Sequence, residues 1–332
     1  MKKQSFIKGA AVMMCSAVFV KILGAFFKIP LSGILGGTGM GYFMGAYGLF
    51  NPVYAVTAAG LPAAVTSYLS RQVSIGGEKK AKEIFSACFY LFSFFGFIIS
   101  ILFWLFSKQM CSIIGNDGAF LAVRAISPCI FLCCVNGALR GYFEGSRQMT
   151  PTAWSQVAEV TAKLFLGLFL ADLAFKRGLT EFFKYKTVFG ESISNIADAT
   201  EKIMPYAAEY SLLGVSFASL FGTLVMIFYY IYFNGFHTLK FKKNYLKHML
   251  PIFKIAVPIS ISAFIVNLYP LIDMVTIVKA FQIIFKDIAA AESYFPKICG
   301  DFETTAALGN YLYGCYSGIA MTIFHLVPAL TA

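Results

Sequence analysis

The chain has 332 residues, of which 58% are apolar and only 13% are Asp, Glu, Lys or Arg. A water-soluble domain carries about a quarter charged residues, so this composition excludes a charged shell around a small core and suits a bilayer. The formal charge of +11 does not point to nucleic acid, because where the charges fall between apolar runs matters more than their sum.

A helix needs about 20 mostly apolar residues to cross about 30 Å of hydrocarbon. Eight segments meet that need, at approximately 5–30, 41–70, 84–107, 119–141, 151–175, 208–236, 251–281 and 304–332. They predict an all-α, polytopic membrane helix bundle. Lys2, Lys3 and Lys8 precede the first run, which continues to Pro30 and is too long for a signal peptide. The cluster Gly36-Gly37-Thr38-Gly39-Met40-Gly41 reads as a tight outer turn and lacks the spacing of a dinucleotide fingerprint. Asn51-Pro52 and Gly60-Leu61-Pro62 predict a bent or broken second span, because proline removes a backbone donor. Between the fifth and sixth spans, 176–209 reads as a projecting outer connection with a short surface helix near Ile193–Met204.

The loops set the orientation. Placing the N-terminus inside gives the inner side thirteen basic residues: Lys2, Lys3, Lys8, Arg71, Lys79, Lys80, Lys82, Arg140, Arg147, Lys240, Lys242, Lys243 and Lys247. The short outer loops receive three, Lys108, Lys286 and Lys297. Cys111 and Cys299 should then be reachable from outside, and Cys88 and Cys133 should not. No spacing among the eight cysteines suggests a metal site or supports a disulfide. No soluble-enzyme motif occurs, and no cofactor is implied. Glycines four apart at 37/41/45, 137/141/145 and 314/318 let helix backbones approach closely within one bundle.

Charges inside spans are informative, since each costs about 2.5–3.5 kcal/mol at the membrane centre on insertion scales. Lys21 and Lys28, seven residues apart, share a face of the first span. Arg124 lies early in the fourth; Glu159, Lys163 and Asp172 lie in the fifth; Lys254, Asp273 and Lys279 lie in the seventh. Spans two, three and eight are free of Asp, Glu, Lys and Arg, and so is the sixth from Tyr210 to Phe236. Spans one, five and seven therefore read as lining an aqueous path, with Lys21, Lys28, Arg124, Glu159, Lys163 and Asp273 the candidate binding residues. A purely structural reading is open for several: Lys28, Arg124, Lys254 and Lys279 could snorkel, and Glu159 and Lys163 could neutralise one another.

The stretch Lys21-Ile-Leu-Gly-Ala-Phe-Phe-Lys28-Ile-Pro30-Leu, with Leu35-Gly36 and Gly39-Met-Gly41, resembles the opening of the polysaccharide-transporter, stage V sporulation protein B-like family. That family belongs with lipid II flippases and MATE-type exporters in the MOP flippase superfamily. Gly60-Leu-Pro62-Ala63, Leu139-Arg140-Gly141-Tyr142-Phe143-Glu144-Gly145, Pro258-Ile-Ser260 and Leu271-Ile-Asp273 are similar as well. The resemblance implies two six-helix lobes around a cavity and alternating access, with basic side chains on the first span at the positions of Lys21 and Lys28. It implies a lipid-linked diphosphate sugar as substrate, membrane lipid as partner, no nucleic acid, and a plasma-membrane location with a cytoplasmic N-terminus. Residues 1–236 would form the first lobe and 237–332 two helices of an incomplete second, as in a C-terminally truncated member. The alternatives are a cation-coupled MATE-type exporter, for which Glu159 is the acidic candidate, and a non-transporting fragment or scaffold. A membrane-bound sugar transferase ranks last, for want of clustered carboxylates.

Overall fold

The computed structural model describes residues 5–234, 246–285, 288–294, 296, 302 and 304–324. The expectations on Lys2, Lys3, Lys240, Lys242, Lys243, Lys286, Lys297, Cys299 and His325 lie outside the described residues, as do those on the side chains of Lys79, Lys80 and Lys247. The chain begins with α1 (Phe6–Ala55), a π-helical turn (Val56–Gly60) and α2 (Leu61–Leu105). Then come α3 (Ser107–Ile114), α4 (Phe120–Gly145), α5 (Thr150–Tyr185) and the two-residue strands β1 (Thr187–Val188) and β2 (Glu191–Ser192). It continues with α6 (Ile196–Asn234), α7 (Leu246–Asn267), α8 (Tyr269–Ile284), α9 (Ile288–Glu292) and α10 (Thr305–Tyr313), which runs into a π-helical segment (Gly314–Ala320).

Two of these long helical runs are hairpins. Within α1, Gly36 has φ 57° and ψ −166°, a backbone region open essentially to glycine alone. Phe27 and Phe43 then meet with ring centroids 6.2 Å apart, where a straight helix would separate them by about 24 Å at 1.5 Å per residue. The glycine cluster is thus the predicted turn between two antiparallel arms, 6–35 and 37–55. Within α2, Leu61, Val65 and Leu69 face Gly137, Gly141 and Gly145 of α4 in the same order, whereas Phe85 faces Tyr142 and Gly96 faces Cys134. Chain direction therefore reverses between Leu69 and Phe85, where 71–83 was expected as an inner loop. The predicted irregularity of the second span is the π-helical turn before Pro62, one residue wider per turn than an α-helix.

Other expectations shift. The seventh span is two helices, broken at Leu268 ahead of Pro270, whose ring cannot continue the hydrogen-bond ladder. The predicted surface helix near 193–204 is the start of α6, and α5 runs on past the membrane core to Tyr185. The β1–β2 hairpin between them is held by Glu181, whose carboxylate accepts from Thr187 Oγ1 at 3.1 Å and from the Gly190 N–H at 3.2 Å. Cys111 is fully buried against α3's neighbours, so the expectation that it is reachable from outside is corrected.

The glycine faces act as predicted. A Cβ on Gly141 would lie 2.5 Å from Val65 Cβ, and one on Gly214 of α6 would lie 2.6 Å from the Gly167 Cα of α5. Only glycine permits these crossings, and dispersion between closely packed backbones holds helices together in lipid. Gly37, Gly41 and Gly314 bring the second arm of α1 against α10 and its π segment in the same way. Beside that crossing a buried amide pair forms: Asn116 Nδ2 donates to Asn310 Oδ1 at 2.8 Å and to the Gly41 carbonyl at 3.3 Å, and Asn310 Nδ2 donates to the Thr38 carbonyl at 3.1 Å.

Two buried apolar clusters lie end to end in the bundle. One joins Phe27, Leu31 and Phe43 to the early part of α4 and of α6; the other joins α2, the end of α4, Met226 and α7. Phe94, Phe97, Ile101 and Trp104 of α2 and Phe217, Phe221 and Phe228 of α6 point outward, as lipid-facing side chains do. Among the described residues, five helical stretches are long and apolar enough to cross a membrane, and the first, Ile7–Gln72, contains two of the predicted spans.

Candidate functional site

The first arm of α1 carries Lys21 and Lys28 two helical turns apart, with Gly24 and Ala25 between them. All four line a cavity of about 430 Å³. The second arm adds Met44 and Asn51. The opposite wall comes from α8 and the π segment after α10, through Tyr269, Asp273, Tyr313, Tyr316 and Ser317. A second cavity, also about 430 Å³, opens from the same place and shares Lys21, Gly24 and Asn51 with the first. It runs into the first bundle past Tyr47, Tyr54, Gln156, Glu159, Lys163 and Ser219. Each is of the size that takes a small-molecule ligand.

Five of the six candidate residues therefore meet on one pair of joined cavities. Arg124 does not. Its guanidinium lies 5.0 Å from the Trp104 ring centre and 5.5 Å from that of Phe120, and its Nε donates to Ser107 Oγ at 3.0 Å. Aromatic faces and a hydroxyl suffice to hold a cation there. Lys254 and Lys279 are exposed and line neither cavity. Asp172 pairs with Lys176 at 2.7 Å.

Glu159 and Lys163 of α5 are partnered across the bundle. Glu159 and Lys163 were open to a mutual i,i+4 pairing, but Glu159 Oε2 instead takes Arg140 Nη2 of α4 at 3.2 Å. Its Oε1 accepts from Ser219 Oγ of α6 at 2.7 Å. Arg140, counted among the inner-loop residues, is thus inside the bundle, with its side chain 11% exposed against 18% for Glu159. Lys163 Nζ donates to Tyr47 Oη at 2.6 Å and lies over the rings of Phe27 and Tyr47. Lys21 and Lys28 differ: among the described residues, neither makes a hydrogen bond or salt bridge. Their charge is presented to the cavity.

The site has more contributors than spans one, five and seven. Tyr47, Asn51 and Tyr54 come from the charge-free second span, Ser219 from the sixth, and Tyr313, Tyr316 and Ser317 from the eighth. Inspection for ionisable groups passes over them, since a tyrosine in an apolar run looks like core. Asn51 was the detectable signal, as a lone amide within 40 residues free of charge.

Helix pairs crossing closely at glycines, with charged and polar side chains gathered on two joined cavities, define a polytopic membrane bundle rather than a soluble fold. Solved structures agree. A MOP superfamily transporter from Pyrococcus furiosus superposes with a TM-score of 0.54 at 15% identity, over 98% of this chain and 66% of its own. The eukaryotic MATE transporter AtDTX14 superposes with a TM-score of 0.50 at 13% identity, over 95% and 69%. The protein is a multi-pass membrane protein of the MATE-like fold. It belongs to the polysaccharide biosynthesis protein family, which matches residues 6–176, just over half of the chain. Among curated relatives, stage V sporulation protein B of Bacillus subtilis (strain 168) is 24% identical over 321 residues, covering 94% of this chain and 56% of the relative. Lipid II flippase MurJ of the same organism is 26% identical over 193 residues, covering 54% and 36%. The chain thus spans about half or less of the length of these two relatives.

Proposed function

We propose that this chain supplies the first lobe, residues 1–236, and part of the second, 237–332, of a flippase that carries a lipid-linked diphosphate sugar across the cell membrane by alternating access. The observation that carries the reading is the pair Lys21 and Lys28: two ammonium groups on one helix face, without a salt bridge among the described residues, on a ligand-sized cavity. Such charges are costly in hydrocarbon unless water or an anion accompanies them. A diphosphate has the charge and the reach to bridge side chains whose backbones are about 10 Å apart along the helix axis. Gly24 and Ala25 leave the space between them open. The names of the relatives, a lipid II flippase among them, support a lipid-linked ligand. The protein's role in this reading is binding and movement, with no covalent chemistry.

The cation-coupled exporter is the weaker reading, because its acidic candidate has both carboxylate oxygens engaged by Arg140 and Ser219. In this reading the N-terminus is cytoplasmic. Withdrawing Arg140 from the loops leaves twelve basic residues inside against three in the short outer loops. The test is binding of a sugarless polyprenyl diphosphate to the purified protein by native mass spectrometry, with polyprenyl alcohol as control. Lys21→Gln and Lys28→Gln should each weaken diphosphate binding by about tenfold or more, the loss expected of one charge-assisted contact, and leave the alcohol unchanged. Wild-type affinity in both variants overturns the reading.

A further inference from the structure

Resting on that reading of Lys21 and Lys28, we propose that the facing wall, built from Tyr269, Asp273 and Tyr316, is a sugar subsite that accepts a neutral or amine-bearing pyranose and rejects an acidic one. The cavity is bipolar. Cations stand on the α1 side and a carboxylate on the α8 side. Among the described residues, no salt bridge joins Asp273 to Lys21 or Lys28, so the opposite charges face each other across open space rather than cancelling. Tyr269 lies one turn before Asp273 on α8, so the two share a face of that helix and line the same wall.

The two tyrosines are built as platforms. Tyr269 is 61% exposed and Tyr316 is 38% exposed, yet both line the cavity. Tyr313 is buried beneath them, its hydroxyl donating to the Pro270 carbonyl at 3.3 Å. That bond ties the π segment to the start of α8 and fixes the wall. The wider π-helical turn over Gly314–Ala320 is a feature found often at binding sites. An aromatic ring presents a negative face, which suits the C–H face of a pyranose. Asp273 accepts from ring hydroxyls or an ammonium, and Ser317 adds a hydroxyl. A headgroup with a diphosphate at one end and hydroxyls or an amine at the other matches this polarity. A uronic acid would set a second carboxylate against Asp273, the like-charge contact that interfaces use to exclude wrong partners.

The experiment measures binding of three synthetic prenyl diphosphates to the purified full chain: one without sugar, one bearing an N-acetylhexosamine, one bearing a uronic acid. The neutral sugar should raise affinity about tenfold over the sugarless lipid, and the uronic acid should fall about tenfold below the neutral one. Asp273→Asn should abolish the difference between neutral and acidic sugars. Tyr316→Leu should abolish the gain from the neutral sugar. Both variants should still bind the sugarless lipid, and Lys21→Gln should weaken that binding in each by the same factor as in the wild type, which also shows that they are folded. If sugars add nothing, or Asp273→Asn preserves the preference, the subsite is refuted while the lysine clamp stands. If sugarless binding is indifferent to Lys21 and Lys28, the clamp fails and the subsite with it.

Discussion

The Arg140–Glu159 pair ties α4 to α5, and Ser219 ties α6 to both, so its removal tests whether a charge cluster or apolar packing holds the first lobe together. Breaking one member of a buried pair costs about 3–5 kcal/mol, because the other is left charged without a partner. Here the two side chains keep 11% and 18% of their exposure and border a cavity, which solvates the survivor. The expected cost of Arg140→Met or Glu159→Met is therefore lower, about 2–3 kcal/mol. The double variant removes both charges and fills the space with methionine, so it should cost within about 1 kcal/mol of the wild type. Unfolding of a helical membrane protein is rarely reversible, so the readout is the inactivation midpoint in detergent at one fixed scan rate. Each single variant should fall by roughly 5 °C and the double by less than half of that. If the double variant loses the sum of the two singles, the residues act independently and the pair is not what joins the helices.

At the α1 turn, Gly36→Ala forces a Cβ into a region that costs about 1–3 kcal/mol, whereas Gly33→Ala, at a helical glycine with open space around it, should be neutral; equal thermal midpoints would refute the turn. Asn310→Leu strands the Asn116 amide in the interior and should cost about 1–3 kcal/mol, read as increased cysteine-reactive labelling of Cys315 beside Gly37; unchanged labelling would show that the amide pair does not hold the crossing. The Gly190 N–H, and less so the Thr187 hydroxyl, hold the Glu181 carboxyl below its ordinary value. Its contribution is therefore present above the unfolded value of about 4.3 and lost as pH falls through the lower folded value. The Gly190 amide resonance of ¹⁵N-glycine protein should titrate below the ordinary glutamate range and should lose that inflection in Glu181→Gln; persistence in the variant would assign it to another acid.

Much of this architecture is legible in the residues. Apolar runs locate the helices, Gly36 locates a reversal, Pro62 and its glycine mark the bend, and the spacing of Lys21 and Lys28 puts them on one face. What sequence spacing does not reveal is which elements meet. The Lys163–Tyr47 bond joins residues 116 apart and the Asn116–Asn310 bond joins residues 194 apart; neither has a local signature. Arg140 reads as a loop residue because it sits near the end of an apolar run, and only the packing of α4 on α5 draws it inward. Arg124 misleads in the other direction. Its place in a span suggests a cavity, while Trp104, Phe120 and Ser107 give it a private pocket.

The pattern of partnering separates scaffold from site. Arg140, Glu159, Asp172 and Lys176 have countercharges, and Lys163 and Arg124 have hydroxyls and ring faces. Each is satisfied within the protein, and all but the Asp172–Lys176 pair, which lies within α5, join one helix to another. Lys21, Lys28 and Asp273 have no countercharge among the described residues, and all three line one cavity. At about 2.5–3.5 kcal/mol per charge on insertion scales, three such residues would be an expensive way to build a bundle. Apolar side chains at the same positions would pack as well and insert more readily. Their arrangement by sign, cations on α1 and the acid on α8, supports the proposed binding role, because charges placed for stability would be brought together rather than set on opposite walls. The free energy withheld by keeping them apart becomes available when a ligand of matching polarity enters. In the proposed function such a ligand would touch both walls at once and so couple the position of α8 to that of α1, the coupling that alternating access requires.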